Sequence, residues 1–470
     1  MKNVTHVTIG GAAEGYDAQL ILNEMRRRDR PVMHIARDDK RLAAMEEALR
    51  FYAPDVAILR FPSWDCLPYD RISPQADISA MRMATLATLV HKPPKNYVLL
   101  TTLNAASQKI PKRQVLKNSV FLATVGHRID EGALRSFLAR MGFVQTPTVM
   151  EPGDFAVRGG IIDIYPPGEG GPVRLDLFGD VLDGVRRFDP ATQRTTEKLS
   201  HIELSPVSEV ILDEAAITRF RQNYRIEFGA ARTDDALYEA VSAGRTYQGV
   251  EHWLPFFHDG LETLFDYVSD VTITQDDQIT PVRLARWDSI ADQYETRKLA
   301  MDQKTKLDVA YKPIAPSQLY LDDEAWQAKT SVNRVLQFHP LPQSTGPSVI
   351  DAGGRIGRNF SPERQIEKIS LFSSLADHIN AKLSKGPVIV ASYSEGARER
   401  LQGLLEDEGL VNPRPISSIK EISAAGVHLA VWGLEHGFEA PEFTVISEQD
   451  VLGDRLIRQG RKKRKSENFL

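Results

Sequence analysis

Cysteine is almost absent from this chain: Cys66 is the one cysteine among 470 residues. A single thiol excludes an internal disulfide and a metal centre built from several thiolates. Long apolar runs are also absent, because none approaches the roughly 18 residues that a membrane-spanning helix needs. The N-terminus lacks the charged-then-apolar pattern of a signal peptide. We therefore expect a cytoplasmic protein without a membrane span.

Signatures of enzyme chemistry are missing as well. The 11 histidines form no H-E-x-x-H pair, and no G-x-S-x-G segment marks a nucleophilic serine. The formal net charge of -5 disfavours a chain that coats nucleic acid along its whole length. We expect no catalytic residue and no metal site, so the sequence favours a binding protein over an enzyme. The chain is too long for one hydrophobic core, which predicts three or four domains.

A glycine-rich turn near the N-terminus has the spacing of a phosphate-binding loop without its chemistry. In IGGAAEGYDAQLIL (9–22), four residues separate Gly10 from Gly15, as in G-x-x-x-x-G-K-[ST]. Tyr16 and Asp17 stand where that motif needs a lysine and a hydroxyl. Tyr16 supplies no positive charge, and Asp17 would repel a phosphate by roughly 4 kcal/mol at ~4 Å and an effective dielectric of ~20. We interpret Asp17 as the N-cap of the following helix and expect no bound ATP or Mg²⁺.

A second nucleotide-site pattern occurs in EVILDEAA (209–216), which reads like a Walker B strand. Pro206 and Ser208 lie just upstream, and an amphipathic stretch begins at Glu214. Aspartate is a strong N-cap at the start of such a stretch. We therefore predict that Asp213 caps a helix and binds no metal.

Changes in composition along the chain predict its domains. Residues 1–117 alternate strands and helices, which is typical of a parallel α/β domain, and residues 206–345 return to mixed α/β character. The stretch 118–205 predicts a β-rich module with tight Gly and Pro turns. Residues 348–455 predict a separate small α/β domain. The tail 456–470 is basic and polar, and it fits either a linker or a nucleic-acid tether.

The segment VRLDLFGD (173–180) shows the two-residue period of a strand with one buried face. The valine and the two leucines share one side, while Arg174, Asp176 and Phe178 share the other. Arg158, just before two glycines, could join that polar side. Two interpretations stay open: either Arg174 pairs with Asp176 or Asp163 and Phe178 packs under a loop, or Arg174 and Phe178 form an interface hot spot.

Four segments together resemble the N-terminal part of the transcription-repair coupling factor (Mfd) family, and the resemblance covers essentially the whole chain. They are GGAAEGYDA, FPSWDCLPYDRISPQADISAMRMATL, DFAVRGGIIDIYPPGEGGPVRLDLFGDVLDGVRRFDPATQRT and GLEHGFEAPEFTVISEQDVLG. The third of these, from Asp154 to Thr195, is the most specific, because it also resembles the nucleotide excision repair protein UvrB.

This resemblance implies a fold and a function. Family members are ATP-driven DNA translocases that displace a stalled RNA polymerase and recruit UvrA. The implied α/β fold is a degenerate P-loop, helicase-like (UvrB-like) domain interrupted by a β-rich α+β domain and followed by a separate small α/β domain. The implied UvrA-binding residues, in the inserted domain, are Arg158, Arg174 and Phe178. The implied degenerate P-loop comprises Gly10, Gly15, Tyr16 and Asp17.

The chain also departs from the family pattern. It stops at Leu470, before the polymerase-interacting domain, the two motor domains and the C-terminal domain of the family. We therefore expect either a fragment or a short stand-alone relative, monomeric, which recruits UvrA but neither hydrolyses ATP nor translocates on DNA. The competing hypothesis is a UvrB-type ATPase that binds damaged DNA.

Overall fold

The computed structural model describes residues 6–168, 170–232, 234–302, 311–344, 346–366, 370–423 and 426–453. These residues divide into two compact units. One contains the described residues within 1–28, 43–56 and 336–470, and the other contains the described residues within 29–42 and 57–335. The predicted basic tail, 456–470, lies outside the described residues.

The structure is mixed α/β, as the sequence predicts. Its α-helices are Tyr16–Arg28, Asp39–Tyr52, Ala76–His91, Leu103–Ala106, Arg113–Asn118, Glu131–Arg140, Glu214–Phe228, Ala236–Ser242, Leu264–Tyr267, Ile279–Asp302, Pro316–Leu319, Asp323–Ser331, Ser361–Gln365, Leu371–Leu383, Glu395–Asp407 and Glu448–Leu452. In the part of the chain that the structure describes, two short 3-10 helices cover Val250–Phe256 and Ile419–Glu421. Within the described ranges, no helix combines the length and apolarity that crossing a membrane requires.

The strands of the described residues are short and lie between His6 and Ser447. They are His6–Gly10, Val32–Ala36, Ala57–Phe61, Tyr97–Thr102, Lys109–Ile110, Phe121–Thr124, Val144–Gln145, Asp154–Arg158, Ile161–Ile164, Val173–Phe178, Val181–Phe188, Thr195–Leu199, His201–Leu204, Glu262–Thr263, Thr272–Gln275, Arg334–Phe338, Val349–Asp351, Arg355–Ile356, Arg414–Ile416, Val388–Ser392, Val427–Val431, Phe438–Glu439 and Thr444–Ser447.

A run of parallel strands forms the α/β part of the unit that contains residues 57–335. Strand Val32–Ala36 pairs in parallel with Thr272–Gln275 and with Tyr97–Thr102, which in turn pairs in parallel with Ala57–Phe61. Every residue of Tyr97–Thr102 is buried, because helices cover both faces of such a sheet. The parallel α/β pattern predicted for the first part of the chain is thus present.

The same unit contains a β-rich module. Its six-stranded sheet has the strand order Thr195–Leu199, Val181–Phe188, Val173–Phe178, Ile161–Ile164, Asp154–Arg158, Val144–Gln145. One face of this sheet packs into an apolar core with helix Glu131–Arg140, to which Leu134 and Leu138 contribute. Burial of that face fixes the strand register, because a slip of one residue would exchange the two faces.

The small α/β domain lies in the other unit and has a six-stranded sheet of its own. Strand Val388–Ser392 is fully buried and pairs in parallel with Val427–Val431 and Thr444–Ser447. Helices Leu371–Leu383 and Glu395–Asp407 contribute apolar side chains to its core, among them Leu375, Ile379, Leu401 and Leu405.

The Walker-B-like segment has the local structure that the sequence predicts. Residues 209–212 form no strand, and Asp213 is the N-cap of helix Glu214–Phe228. Its carboxylate accepts a hydrogen bond of 2.7 Å from the Ala216 N–H group. The predicted helix cap is therefore confirmed.

Candidate functional site

The six-stranded sheet has a second face, opposite its apolar core, and the predicted site residues lie there. Val173 and Leu175 are fully buried in the core, while Arg174 points to the other side and Phe178 is exposed. Arg174 lies directly opposite Asp163 on one neighbouring strand and opposite Arg186 on the other. The strand alternation predicted from the sequence is thus confirmed. We call this second side of the sheet the open face, and we define it by Arg158, Ile161, Arg174, Asp176, Phe178 and Arg186.

Arg174 is held rigidly on the open face. Its Nε donates to Asp163 Oδ1 at 2.7 Å, and its Nη2 donates to Asp163 Oδ2 at 2.9 Å. The guanidinium carbon also lies 4.9 Å from the centre of the Phe188 ring. The hydrogen bonds to Asp163 raise the pKa of Arg174, so that its charge is fixed. Two donors are anchored in this way, and Nη1 donates to no protein group among the described residues.

The sequence left two acidic partners open for Arg174, and the register decides between them. Asp163 stands directly across from Arg174 in the neighbouring strand and is almost completely buried. Asp176 instead forms an ion pair with Arg186, in which Asp176 Oδ2 lies 3.1 Å from Arg186 Nη2. Cross-strand neighbours on one face of an antiparallel pair are close enough to bond, which explains the choice.

Phe178 does not pack under a loop, and that interpretation is wrong. Its side chain is 84% exposed, although most phenylalanines of folded proteins are largely buried. It is the last residue of strand Val173–Phe178 and pairs with Val181 across the turn that contains Gly179. The strand presents an aromatic ring to solvent four residues after the fixed guanidinium group of Arg174.

Arg158 lies on the same face, which the sequence left undecided. It ends strand Asp154–Arg158 and pairs with Ile161, which in turn pairs with Asp176. Its Nη2 donates to the Pro147 carbonyl at 2.8 Å. Arg158, Ile161 and Asp176 therefore form a row across three strands.

The turn after Arg158 also lies close to the strand that ends at Phe178. The Leu177 N–H group donates to the Gly160 carbonyl at 2.7 Å. A Cβ on Gly160 would lie 2.6 Å from the Leu177 carbonyl oxygen, so this approach needs glycine. The sequence reasoning missed two members of the face, Ile161 and Arg186. The alternation within IIDI and VRRF contains the signal for both.

The glycine-rich turn near the N-terminus joins a strand to a helix. Strand His6–Gly10 precedes it, and helix Tyr16–Arg28 follows. Asp17 lies inside the first turn of that helix and not at its N-cap, so the predicted cap is wrong. Its buried carboxylate instead accepts a hydrogen bond of 3.0 Å from the Gly15 N–H group.

Tyr16 is fixed by contacts that the local sequence does not reveal. Its hydroxyl donates to the Ala352 carbonyl at 3.1 Å, and its ring centre lies 6.1 Å from that of Phe438. Burial raises the pKa of Tyr16 to about 12, with smaller contributions from Glu442 and Asp351. The side chain is therefore neutral and serves as a packing group with one hydrogen bond.

Two family models match this chain. Residues 122–210, which include the whole six-stranded sheet, match the UvrB interaction domain. Residues 381–451 match the D3 domain of MFD. The chain thus combines a domain of the UvrB type with a domain that is named for Mfd.

Relatives match nearly the whole chain. The transcription-repair-coupling factor of Escherichia coli is 30% identical over 96% of this chain, and that of Haemophilus influenzae is 29% identical over 98%. The one of Bacillus subtilis is 23% identical over 97%. The chain spans 38% to 39% of the length of these three relatives. The chain is thus similar, over nearly its whole length, to the N-terminal, UvrB-like region of transcription-repair-coupling factors.

Proposed function

We propose that this chain is a cytoplasmic, monomeric module that recruits UvrA in transcription-coupled nucleotide excision repair. UvrA binds the open face, through Arg158, Arg174 and Phe178. RNA polymerase and DNA are partners of full-length family members, in which a motor accounts for ATP-driven translocation. The match of residues 122–210 to the UvrB interaction domain supports this proposal, because all three residues lie within it.

One observation carries the proposal: a fixed cation and an exposed aromatic ring lie on the same strand, on the sheet face opposite the larger apolar core. The Phe178 ring is 84% exposed, and Arg174 is anchored by two hydrogen bonds to the buried Asp163. Aromatic and arginine side chains dominate the binding energy of protein interfaces. The arrangement suits a partner that covers the ring and accepts a hydrogen bond from the guanidinium group.

Preorganisation favours Arg174 as a contact residue. Ordering a long side chain on binding costs about 0.5–1.5 kcal/mol, and Asp163 and Phe188 already order this one in the free protein. The neutral pair also leaves less charge to desolvate than a lone arginine would. Among the described residues, the Arg158 side chain donates one hydrogen bond, to the neutral Pro147 carbonyl, and this contact leaves its positive charge uncompensated.

The glycine-rich turn Gly10–Asp17 is, in this proposal, a degenerate P-loop without a nucleotide. Tyr16 is neutral, and the Asp17 carboxylate already occupies the Gly15 N–H group. A P-loop needs its backbone N–H groups and a lysine for phosphate. The chain therefore acts by binding and not by catalysis, in contrast to a UvrB-type ATPase.

Calorimetric titration with UvrA tests the docking surface. We expect the wild-type chain to bind, and Phe178→Ala to weaken binding by more than tenfold, which corresponds to about 1.4 kcal/mol. Arg174→Ala and Arg158→Ala should have the same sign of effect. Circular dichroism and thermal unfolding identify any variant whose fold has changed.

Matched controls come from the same unit. Ile226 is 81% exposed on helix Glu214–Phe228, and Arg232 is an exposed arginine. Ile226→Ala and Arg232→Ala remove similar groups outside the open face and should leave UvrA binding unchanged. Equal binding by Phe178→Ala and Ile226→Ala would contradict the proposed surface, and ATP-dependent binding to damaged DNA by the wild-type chain would favour the UvrB-type alternative.

A further inference from the structure

The loop Gly10–Asp17 differs from a phosphate loop in more than its missing lysine, because other residues of the chain lie against its glycines. In a working loop, glycines let phosphates approach the backbone, and free N–H groups bind them. Here the glycines are retained while the phosphate-binding side chains are not. Where no phosphate approaches the backbone, another close contact must explain why these positions have no side chain.

The backbone of a second segment supplies that reason for Gly11. Gly11 has φ +66°, and a Cβ on it would lie 2.6 Å from the Gly354 carbonyl oxygen. Conversely, a Cβ on Gly354 would lie 2.3 Å from the Gly11 carbonyl oxygen and 2.6 Å from the Tyr16 ring. These separations are far below van der Waals contact with carbon. The two glycines therefore permit each other's approach.

An aromatic ring has the same relation to the second glycine of the motif. Gly15 has φ +93°, and a Cβ on it would lie 2.8 Å from the Phe438 ring and 3.1 Å from a methyl carbon of Leu434. Phe438 is itself fully buried. Gly11 and Gly15 are thus in contact with parts of the chain that lie more than 300 residues away in the sequence.

Five N–H groups of the loop, those of Gly11, Ala12, Gly15, Tyr16 and Asp17, are likewise bound within the protein. The Gly11 N–H group donates to the Leu341 carbonyl at 3.1 Å, and the Ala12 N–H group donates to the His339 carbonyl at 2.9 Å. The Gly15 N–H group donates to the Asp17 carboxylate at 3.0 Å. The N–H groups of Tyr16 and Asp17 both donate to the Ala13 carbonyl, at 3.0 Å each. The Asp17 carboxylate is the one negatively charged acceptor among these bonds, and the other acceptors are backbone carbonyls. A phosphate would have to displace these bonds before it could bind any of these five N–H groups.

A further contact set joins the same two parts of the chain. Glu47 accepts a hydrogen bond of 2.8 Å from the Gly433 N–H group. The Phe51 ring stacks on Trp432, with centres 4.6 Å apart. The small α/β domain is therefore held at the loop and also along helix Asp39–Tyr52.

We propose that the Gly10–Asp17 loop is an occupied cradle, in which Ala352–Gly354 and Phe438 fill the space of a nucleotide and hold the small α/β domain. This inference deepens the degenerate-loop part of the proposed function and rests on it. Restoration of the missing side chains alone does not then restore a nucleotide site. The glycines of the loop stabilise the fold through contacts with the small domain.

The direct test uses the double variant Tyr16→Lys/Asp17→Ser in the full chain, which completes the G-x-x-x-x-G-K-[ST] motif. ATP with Mg²⁺ is the probe, in calorimetric titration, after circular dichroism has shown a folded chain. We expect no saturable binding up to a concentration on the order of 1 mM, which corresponds to about -4 kcal/mol. Saturable binding below that concentration would overturn the proposal.

A second pair of variants decides the question even if the double variant does not fold. Gly354→Ala places a methyl group against the Gly11 carbonyl, whereas Gly396→Ala adds one in open space on helix Glu395–Asp407. We expect Gly354→Ala to lower the Tm by more than roughly 4 °C relative to Gly396→Ala. Equal Tm values would overturn the cradle.

The outcomes separate this inference from the docking proposal. Failure of the wild-type chain to bind UvrA would contradict the docking proposal and leave the cradle intact. ATP binding by the restored loop would contradict the cradle and leave UvrA docking intact. ATP binding by the wild-type chain would contradict both the cradle and the proposed loss of the nucleotide site.

Discussion

Removal of the Asp163 carboxylate should loosen the sheet that carries the open face. Asp163→Ala leaves the guanidinium of Arg174, whose side chain is 19% exposed, without the two hydrogen bonds that satisfy it. Breaking a buried pair from one side costs about 3–5 kcal/mol, and the remaining solvent access of Arg174 places this case near 3 kcal/mol. At about 1.4 kcal/mol per tenfold, the opening equilibrium of the sheet should rise by about a hundredfold.

Hydrogen exchange of peptides from residues 154–178 measures this opening locally. Asp183→Ala removes an exposed carboxylate from the next strand of the same sheet and is the matched control. The double variant Asp163→Ala/Arg174→Ala should recover part of the loss, with a coupling of at least about 1 kcal/mol. Exchange rates within threefold of the control, or additive effects of the two substitutions, would refute the reasoning.

Two further predictions concern buried charges elsewhere in the same unit. Burial lowers the pKa of His252 from 6.5 to about 4, so the folded state favours the neutral imidazole. The contribution of neutral His252 to the free energy of unfolding is therefore complete above pH 6.5 and is lost as the pH falls towards 4. His252→Phe should reduce the acid loss of stability by up to about 3 kcal/mol, and an unchanged pH profile of the Tm would contradict it. Glu209→Ala leaves the fully buried Arg82 without its carboxylate and should lower the free energy of unfolding in urea by about 3–5 kcal/mol. The double variant Arg82→Met/Glu209→Leu removes both charges and should lower it less. A larger loss in the double variant would contradict the pairing.

Local signals in the sequence were sufficient for parts of this structure. Asp213 caps its helix because a short polar side chain at that position bonds the next free N–H groups, a local effect. Strand alternation placed Val173 and Leu175 in the core and Arg174 on the other face, because side chains of a strand alternate between its faces.

Other features depend on residues that are distant in the sequence. Asp17 looked like a cap, but the helix begins one residue earlier and the carboxylate turns back to Gly15. The contacts of Gly11 and Gly15 come from residues 354 and 438, which no local pattern connects to the loop. The partner of Arg174 required the pairing register, which a single strand does not reveal. The predicted domain boundaries and the roles of Arg158, Arg174 and Phe178 in UvrA binding stay predictions.

Site-specific photo-cross-linking tests the central claim most directly. A benzophenone amino acid replaces Phe178 in one chain and Ile226 in another, since both side chains are more than 80% exposed. After irradiation with UvrA, the account predicts a covalent adduct from position 178 and none above background from position 226. An adduct from position 226 alone, or equal adducts from both, would show that UvrA does not dock on the open face.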